Sequence, residues 1–414
     1  FGSFVVLPGV DPSYLSELQS QGSQGLLGLL NMFSGGAFSN ASIFALGIMP
    51  YITASIIVQL LGMAVPYFQK LQREGESGRN KLNQITRYLT ILVVAIQAPA
   101  YMANITRQVP AAGIFPFDPT STHVPFFFTI SSILILVAGT MFVMWLGERI
   151  TDRGIGNGIS IIITVGIIAR LPFALVGEFI ARNAAGGGGL VVFLIELFAF
   201  IFVVVFCILL VQGTRRIPVQ RAKRIEGNRV YGGARQYIPL KINAAGVMPI
   251  IFAQAIMFLP MTIAGFSSDG MGKFATTFSN IDGFWYNFVF FVLIVIFTYL
   301  YTAITINPNQ MADEMKKNGS FIPGVKPGKK TAEYIDTVMS RITLPGSIFL
   351  GVIAILPAIV RLFGINTQFA QFFGGTSLLI LVGVVLDTLS QIESHLLMRH
   401  YDGLTKSGRI KGRN

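Results

Sequence analysis

The feature that most limits what this chain can become is a series of nine apolar runs, each about 20 residues long, separated by polar and basic segments. They fall near residues 43–65, 88–106, 124–147, 155–176, 189–212, 244–266, 284–306, 342–363 and 373–397. A helix of that length crosses about 30 Å of hydrocarbon. Charged residues make up only 12% of the 414, where a soluble domain carries about 25%. A backbone in lipid must satisfy its own hydrogen bonds, so the expected fold is an all-α polytopic membrane protein.

The basic residues orient these spans. Segments 66–87, 148–154, 213–242, 307–341 and 397–414 hold 26 of the 31 Lys and Arg residues. The alternate segments hold Arg107, Arg170, Arg182, Lys273 and Arg361. Lys and Arg are enriched in cytoplasmic loops, which places the rich segments and the C-terminus inside. The net charge of +12 is therefore mainly topology, although the two large basic loops also suit an anionic partner.

Two pairs of segments repeat in the same order. Residues 45–57 (ALGIMPYITASII) match 244–256 (AAGVMPIIFAQAI) at seven of 13 positions, and 158–166 (GISIIITVG) match 375–383 (GTSLLILVG) at five of nine. With the orientation above, 43–65 runs inward and 244–266 outward, whereas 155–176 runs outward and 373–397 inward. The copies are inverted, which implies a pseudo-two-fold axis in the membrane plane and a central site between the halves. The second copy holds five spans and the first only four. Phe1–Val6 is accordingly expected to end a first helix largely missing from this chain, in an architecture of ten spans with both termini cytoplasmic. The expected division is 1–185, 186–397 and a basic tail, 398–414. The glycine-rich stretch Ala184–Gly189 reads as a surface turn or as a hinge between the halves.

The repeat pairs Ile52 with Ile251 and Ile163 with Ile380, each near mid-span. Ile48 and Ile159 lie one helical turn earlier on the same faces. Bundle packing accounts for most isoleucines in membrane helices. A ring of them contributed by both halves is also a hydrophobic constriction that gates by excluding water. Ahead of the first long run, 26–36 (LLGLLNMFSGG) is apolar but too short to cross, and reads as an interfacial or re-entrant segment.

Other classes fit poorly. A secondary transporter uses intramembrane charges. Only Glu196 and Asp387 fall well inside spans, with no evident basic partner at matching depth, so packing or an interhelical hydrogen bond is their expected role. His123, His395 and His400 lack metal-ligand spacing, and no phosphate-binding loop occurs. No enzyme activity, cofactor or metal is expected, and the driving force must come from outside. Cys207 is expected to be plain packing.

Asn31–Leu61 strongly resembles the plug and second helix of the SecY family of protein-conducting channels. The resemblance continues through Glu74–Arg79 (EGESGR), Trp145–Ile163 (WLGERITDRGIGNGISIII), Pro239–Phe252 (PLKINAAGVMPIIF), Asn307–Pro308, Phe321–Gly328 (FIPGVKPG), Tyr334–Thr343 (YIDTVMSRIT) and Phe373–Ile380 (FGGTSLLI). It implies a SecY-type channel of two inverted five-helix repeats that conducts unfolded polypeptides and releases apolar segments sideways into lipid. By the same resemblance the pore ring is Ile48, Ile52, Ile159, Ile163, Ile251 and Ile380. The plug spans about Gln24–Ser34 and includes Leu26, Leu27, Leu29, Leu30, Asn31, Met32 and Phe33. The lateral gate lies between 43–65 with 88–106 and 244–266 with 284–306, and Gln59 and Asn243 match its polar positions. Loops 213–242 and 307–341 match those that receive the SecA motor or the ribosome, with Arg229 and Lys326 at the basic positions and Arg224 and Lys329 nearby. Relatives often carry two arginines where this chain has Asn228–Arg229, and usually an arginine where it has Lys326, which lacks the bidentate fork. The implied partners are SecE, SecG, SecA, the ribosome, signal sequences, nascent chains and membrane lipid. The implied location is a bacterial plasma membrane.

Overall fold

The computed structural model describes residues 2–11, 31, 34–108, 126–184, 188–221, 224–226, 229–231, 235–254, 256–257 and 283–407. Contacts divide the chain into two units. One comprises Phe1–Ala181, Thr367–Phe369 and Gly383–Asn414; the other comprises Arg182–Asn366 and Ala370–Val382.

In the first unit, Gly2–Phe4 form a single 3-10 turn and Val6 bridges antiparallel to Ser42. The stretch expected to end a helix has thus left helical geometry by Val6. The physical reason is local: Leu7 N–H donates to the Ala41 carbonyl (2.8 Å) and Ile43 N–H to the Val5 carbonyl (3.0 Å), exchanging helical bonds for a tie to residues 34–48. Those residues form a compact run of turns. Its apolar side, Phe38, Ala41 and Ala45, is buried with Leu7, Val94, Tyr101, Met102 and Leu136. The Tyr101 hydroxyl donates to the Phe38 carbonyl (2.8 Å), which satisfies it in an apolar setting.

Helix α1 (Met49–Ala64) begins with Pro50 in its first turn, where a missing N–H costs nothing. It stops at Val65, which is forced to extended geometry by Pro66, and α2 (Pro66–Arg73) follows at once. After Gly75, whose φ of +74° favours glycine, α3 (Glu76–Gln108) runs for 33 residues. The basic segment 66–87 therefore has only two residues outside helices, Glu74 and Gly75, the rest lying in α2 and the start of α3. Helices α4 (Phe126–Arg153) and α5 (Gly158–Asn183) follow; α1 packs on α3, and α3 on α4.

The second unit opens with α6 (Gly189–Gln212), whose large apolar residues are mostly exposed, as a lipid-facing helix requires. The two large basic loops then prove to be structured. Strand β1 (Thr214–Arg221) pairs antiparallel with β4 (Arg235–Lys241), and between them β2 (Arg224–Glu226) and β3 (Arg229–Tyr231) form a hairpin. Beyond a helical stretch over 248–254 come α7 (Phe284–Thr305), α8 (Pro308–Lys317), β5 (Ser320–Phe321) and α9 (Lys329–Leu362). Strand β5 pairs with the end of β1. Ile217, Val219, Leu240, Met315, Ile322, Ile335 and Met339 form a buried core beneath this sheet. Pro218 is tolerated in β1 because β5 reaches only Gln220 and Arg221, leaving Pro218 at a free edge. After α10 (Thr367–Ala370), helix α11 (Gly375–Ser407) closes the described chain, its residues divided between the units at Val382 and Gly383.

Among the described residues, seven helices are long and apolar enough to cross a membrane, or eight when the bent pair α1–α2 counts as one span. The chain is a mostly helical, multi-pass membrane protein. The expected run 244–266 is helical over 248–254, and most of its remainder lies outside the described residues.

Candidate functional site

In the first unit, Ile48 is the N-cap of α1 and is buried, with 3% exposure; Ile52 stands half-buried one turn on. Asn157 caps α5 by accepting from the N–H of Ile159 (3.1 Å). The preceding loop is fastened where the Gln391 side-chain oxygen accepts from Gly156 N–H (2.8 Å). Ile159 is half-buried and Ile163 buried. The spacing 159, 163, 166, 170 sets these two isoleucines on one stripe of α5 with Gly166 and Arg170.

Residues 34–36 pack against that stripe. A Cβ on Gly35 would lie 3.3 Å from Gly166 Cα, and one on Gly36 would strike the Arg170 guanidinium. On its other side the same turn meets the start of α1: a Cβ on Gly47 would lie 3.4 Å from Ser34 Cβ. Asn31 is buried, and its Oδ1 accepts from Ser39 N–H (3.1 Å) and Arg170 Nη2 (3.3 Å). The remaining plug residues named from sequence, Leu26, Leu27, Leu29, Leu30, Met32 and Phe33, lie outside the described residues.

The second unit contains Ile251, half-buried in the helical stretch 248–254, and Ile380, buried in α11. The two units repeat one set of close approaches. In the first, α4 glycine Gly139 abuts the Ile43 carbonyl, and Gly158 abuts the Gly147 carbonyl and the Ile150 side chain. In the second, α9 glycine Gly346 abuts the Ile242 carbonyl, and Gly375 approaches Pro357 and the Ala354 carbonyl. Ile43 and Ile242 occupy equivalent places ahead of the matched segments, and so do Gly158 and Gly375. Gly47 and Gly246 also match, with φ of +54° and +63°, each just before a helix bearing proline in its first turn.

Of the two gate positions, Gln59 donates within its own helix to Ser55 Oγ (3.4 Å). Asn243 is buried with 7% exposure, and among the described residues its Oδ1 has no donor. Glu196 departs from expectation. It forms an ion pair with Arg182 (2.5 Å), which also donates to the Gly364 carbonyl (2.9 Å). The partner comes from the end of the preceding helix, a pairing that depth along the spans does not reveal. Asp387 is exposed.

The basic positions Arg224 and Arg229 lie on the two strands of the β2–β3 hairpin, with Glu226 in register with Arg229. Lys326 is exposed between β5 and α9, and Lys329 is exposed as the first residue of α9. The shared core and the β1–β5 pairing make the two basic loops one small domain. The signal for it was present in the sequence as alternation: in Thr214–Arg221, Ile217 and Val219 are buried while Arg216 and Pro218 beside them are exposed.

A family model described as SecY matches residues 42–389. The chain is 44% identical to the protein translocase subunit SecY of Streptomyces galbus, over 98% of this chain and 93% of that protein. It is 41% identical to the subunit of the same name from Chlamydia trachomatis, over 100% of this chain and 93% of that one. Among solved structures, it resembles a protein-conducting channel with a TM-score of 0.59 at 18% identity, covering 88% of this chain and 84% of that one. It also resembles Sec61 in a canine ribosome–channel complex, with a TM-score of 0.53 at 17% identity, covering 86% and 82%.

Proposed function

The chain belongs to the SecY family, and from that premise we propose that it forms the polypeptide-conducting channel of a protein translocase. The near full-length likeness to translocase subunits carries this reading. The chain acts as a conduit and not as an enzyme, so the work of moving a polypeptide is supplied by a partner. The two units are inverted copies of one five-helix module, a reading supported by the matched segments and by the glycine contacts that recur in each.

Ile48, Ile52, Ile159, Ile163, Ile251 and Ile380 form the pore ring. Aliphatic side chains offer water and ions no partner, so a narrow ring of them seals without binding anything. The Gln24–Ser34 segment serves as the plug. Gln59 and Asn243 belong to the lateral gate, where a few polar groups hold the helices modestly and a sufficiently apolar segment leaves for lipid. Arg224, Arg229, Lys326 and Lys329 form the docking face for SecA or the ribosome, and the single small domain that carries them favours one continuous face. SecE and SecG complete the complex in a bacterial plasma membrane, with the C-terminus cytoplasmic.

Reconstitution tests the function directly. With the chain and its partner subunits in liposomes, the motor and ATP should move a secretory precursor into a protease-protected space. Absence of protected precursor, with the motor active, sinks the reading.

A further inference from the structure

Arg170 belongs by the basic-residue pattern to an outer segment, yet α5 continues past it to Asn183, so it falls within a helix apolar enough to span the membrane, where a charge is rare and functional as a rule. The stripe that bears Ile159 and Ile163 continues to Arg170, seven residues beyond Ile163 and so about 10 Å along the helix. Its guanidinium does three things at once: it donates to Asn31 Oδ1, it covers Gly36, and it leaves that oxygen shared with Ser39 N–H. Asn31 in turn organises the whole turn. Its carbonyl accepts from Gly36 N–H (2.7 Å) and Ser34 Oγ (3.2 Å), and Ser34 Oγ accepts from Phe38 N–H (3.2 Å). Ser34 then packs on Gly47, the residue before Ile48.

We propose that Arg170 is a positioning residue that latches the 34–36 turn between α5 and the start of α1, and so keeps the resting channel shut. The inference rests on the channel reading above. In the latched state the hydrogen bond to Asn31 gives the half-buried charge a partner and holds the turn against Gly166, one turn beyond Ile163, and against Gly47, the residue before Ile48. Once the turn leaves, the guanidinium has lost that acceptor, so opening must supply it with water or substrate. The latch thereby biases the equilibrium toward closure until a signal segment supplies the difference.

The test uses the reconstituted translocase with Arg170→Met, Arg170→Lys, Asn31→Ala and the Arg170→Met/Asn31→Ala double variant. Resting ion conductance in planar bilayers should rise roughly tenfold or more for Arg170→Met, the scale set by one charged hydrogen bond. The ratio of translocation with a weakened signal sequence to that with an intact one should rise in parallel. Arg170→Lys, which keeps a donor, should fall back toward wild type, a rescue that a purely packing role does not predict. The double variant should be no leakier than the leakier single variant, because both remove one bond. Wild-type conductance and ratio in Arg170→Met, or strict additivity in the double variant, overturns the latch. If Arg170→Met does not assemble, Asn31→Ala decides alone. Failure of the wild-type complex to translocate at all refutes the channel reading instead.

Discussion

Gly139 meets the carbonyl oxygen of Ile43 with no room for a side chain between them, and Gly346 closely approaches the carbonyl of Ile242. Small residues let a helix approach neighbouring backbone closely in membranes, where tight packing replaces the hydrophobic effect as the main attraction. The two contacts differ in tightness. A Cβ on Gly346 would lie 3.0 Å from the Ile242 oxygen, which a small shift relieves, whereas one on Gly139 would overlap the Ile43 oxygen outright.

Gly139→Ala should therefore destabilise the protein by about 1–3 kcal/mol, the cost of overpacking against backbone. Gly346→Ala should be near neutral, because the gain of about 1 kcal/mol in helix propensity offsets a slight clash. Thermal unfolding of the two variants in detergent checks the order; equal effects would refute the distinction.

In the Arg182–Glu196 pair Glu196 is buried and Arg182 half-buried, with 8% and 15% side-chain exposure. Removing one member leaves an uncompensated charge, so Arg182→Met should cost about 3–5 kcal/mol, part of it from the lost bond to the Gly364 carbonyl. Arg182→Met/Glu196→Met should cost less than Arg182→Met alone. A double variant weaker than both singles would mean that the pair contributes to stability by attraction and not merely by mutual neutralisation.

Ile217, Leu240 and Ile335 sit in the core beneath the sheet. Ile335→Ala should cost about 2–5 kcal/mol locally. It should weaken motor binding, measured by co-sedimentation with proteoliposomes, without reducing membrane insertion. Arg229→Glu with Lys326→Glu should lower motor-driven translocation while leaving the melting temperature nearly unchanged, since Lys326 is exposed. Motor binding that survives the charge reversal would rule out this docking face.

Serine at Ile52, Ile163, Ile251 and Ile380 together should raise resting conductance and admit precursors with poor signal sequences. Planar-bilayer recordings indistinguishable from wild type would show that these residues do not form the seal.

Seven of the nine spans, or eight with the bent pair α1–α2, were legible among the described residues because a backbone in lipid has one solution, and a run of 20 apolar residues announces it. The basic loops were not, because their charge counts overshadowed a short alternation at Ile217 and Val219. Their second half of evidence, the pairing of β1 with β5, lies about 100 residues away in sequence. The Arg182–Glu196 pair escaped for the same cause, since depth along a span says nothing about which helix end folds back beside it.

What the sequence determined by itself was which segments are apolar enough to cross, which of them match one another residue for residue, and to which family the chain belongs. Each follows from local composition or from residues read in order. The tertiary structure alone decided that two basic loops share one core, that Glu196 has a partner, and that Arg170 reaches Asn31. Those outcomes depend on which distant backbones come within about 3 Å of each other, a distance that no periodicity encodes.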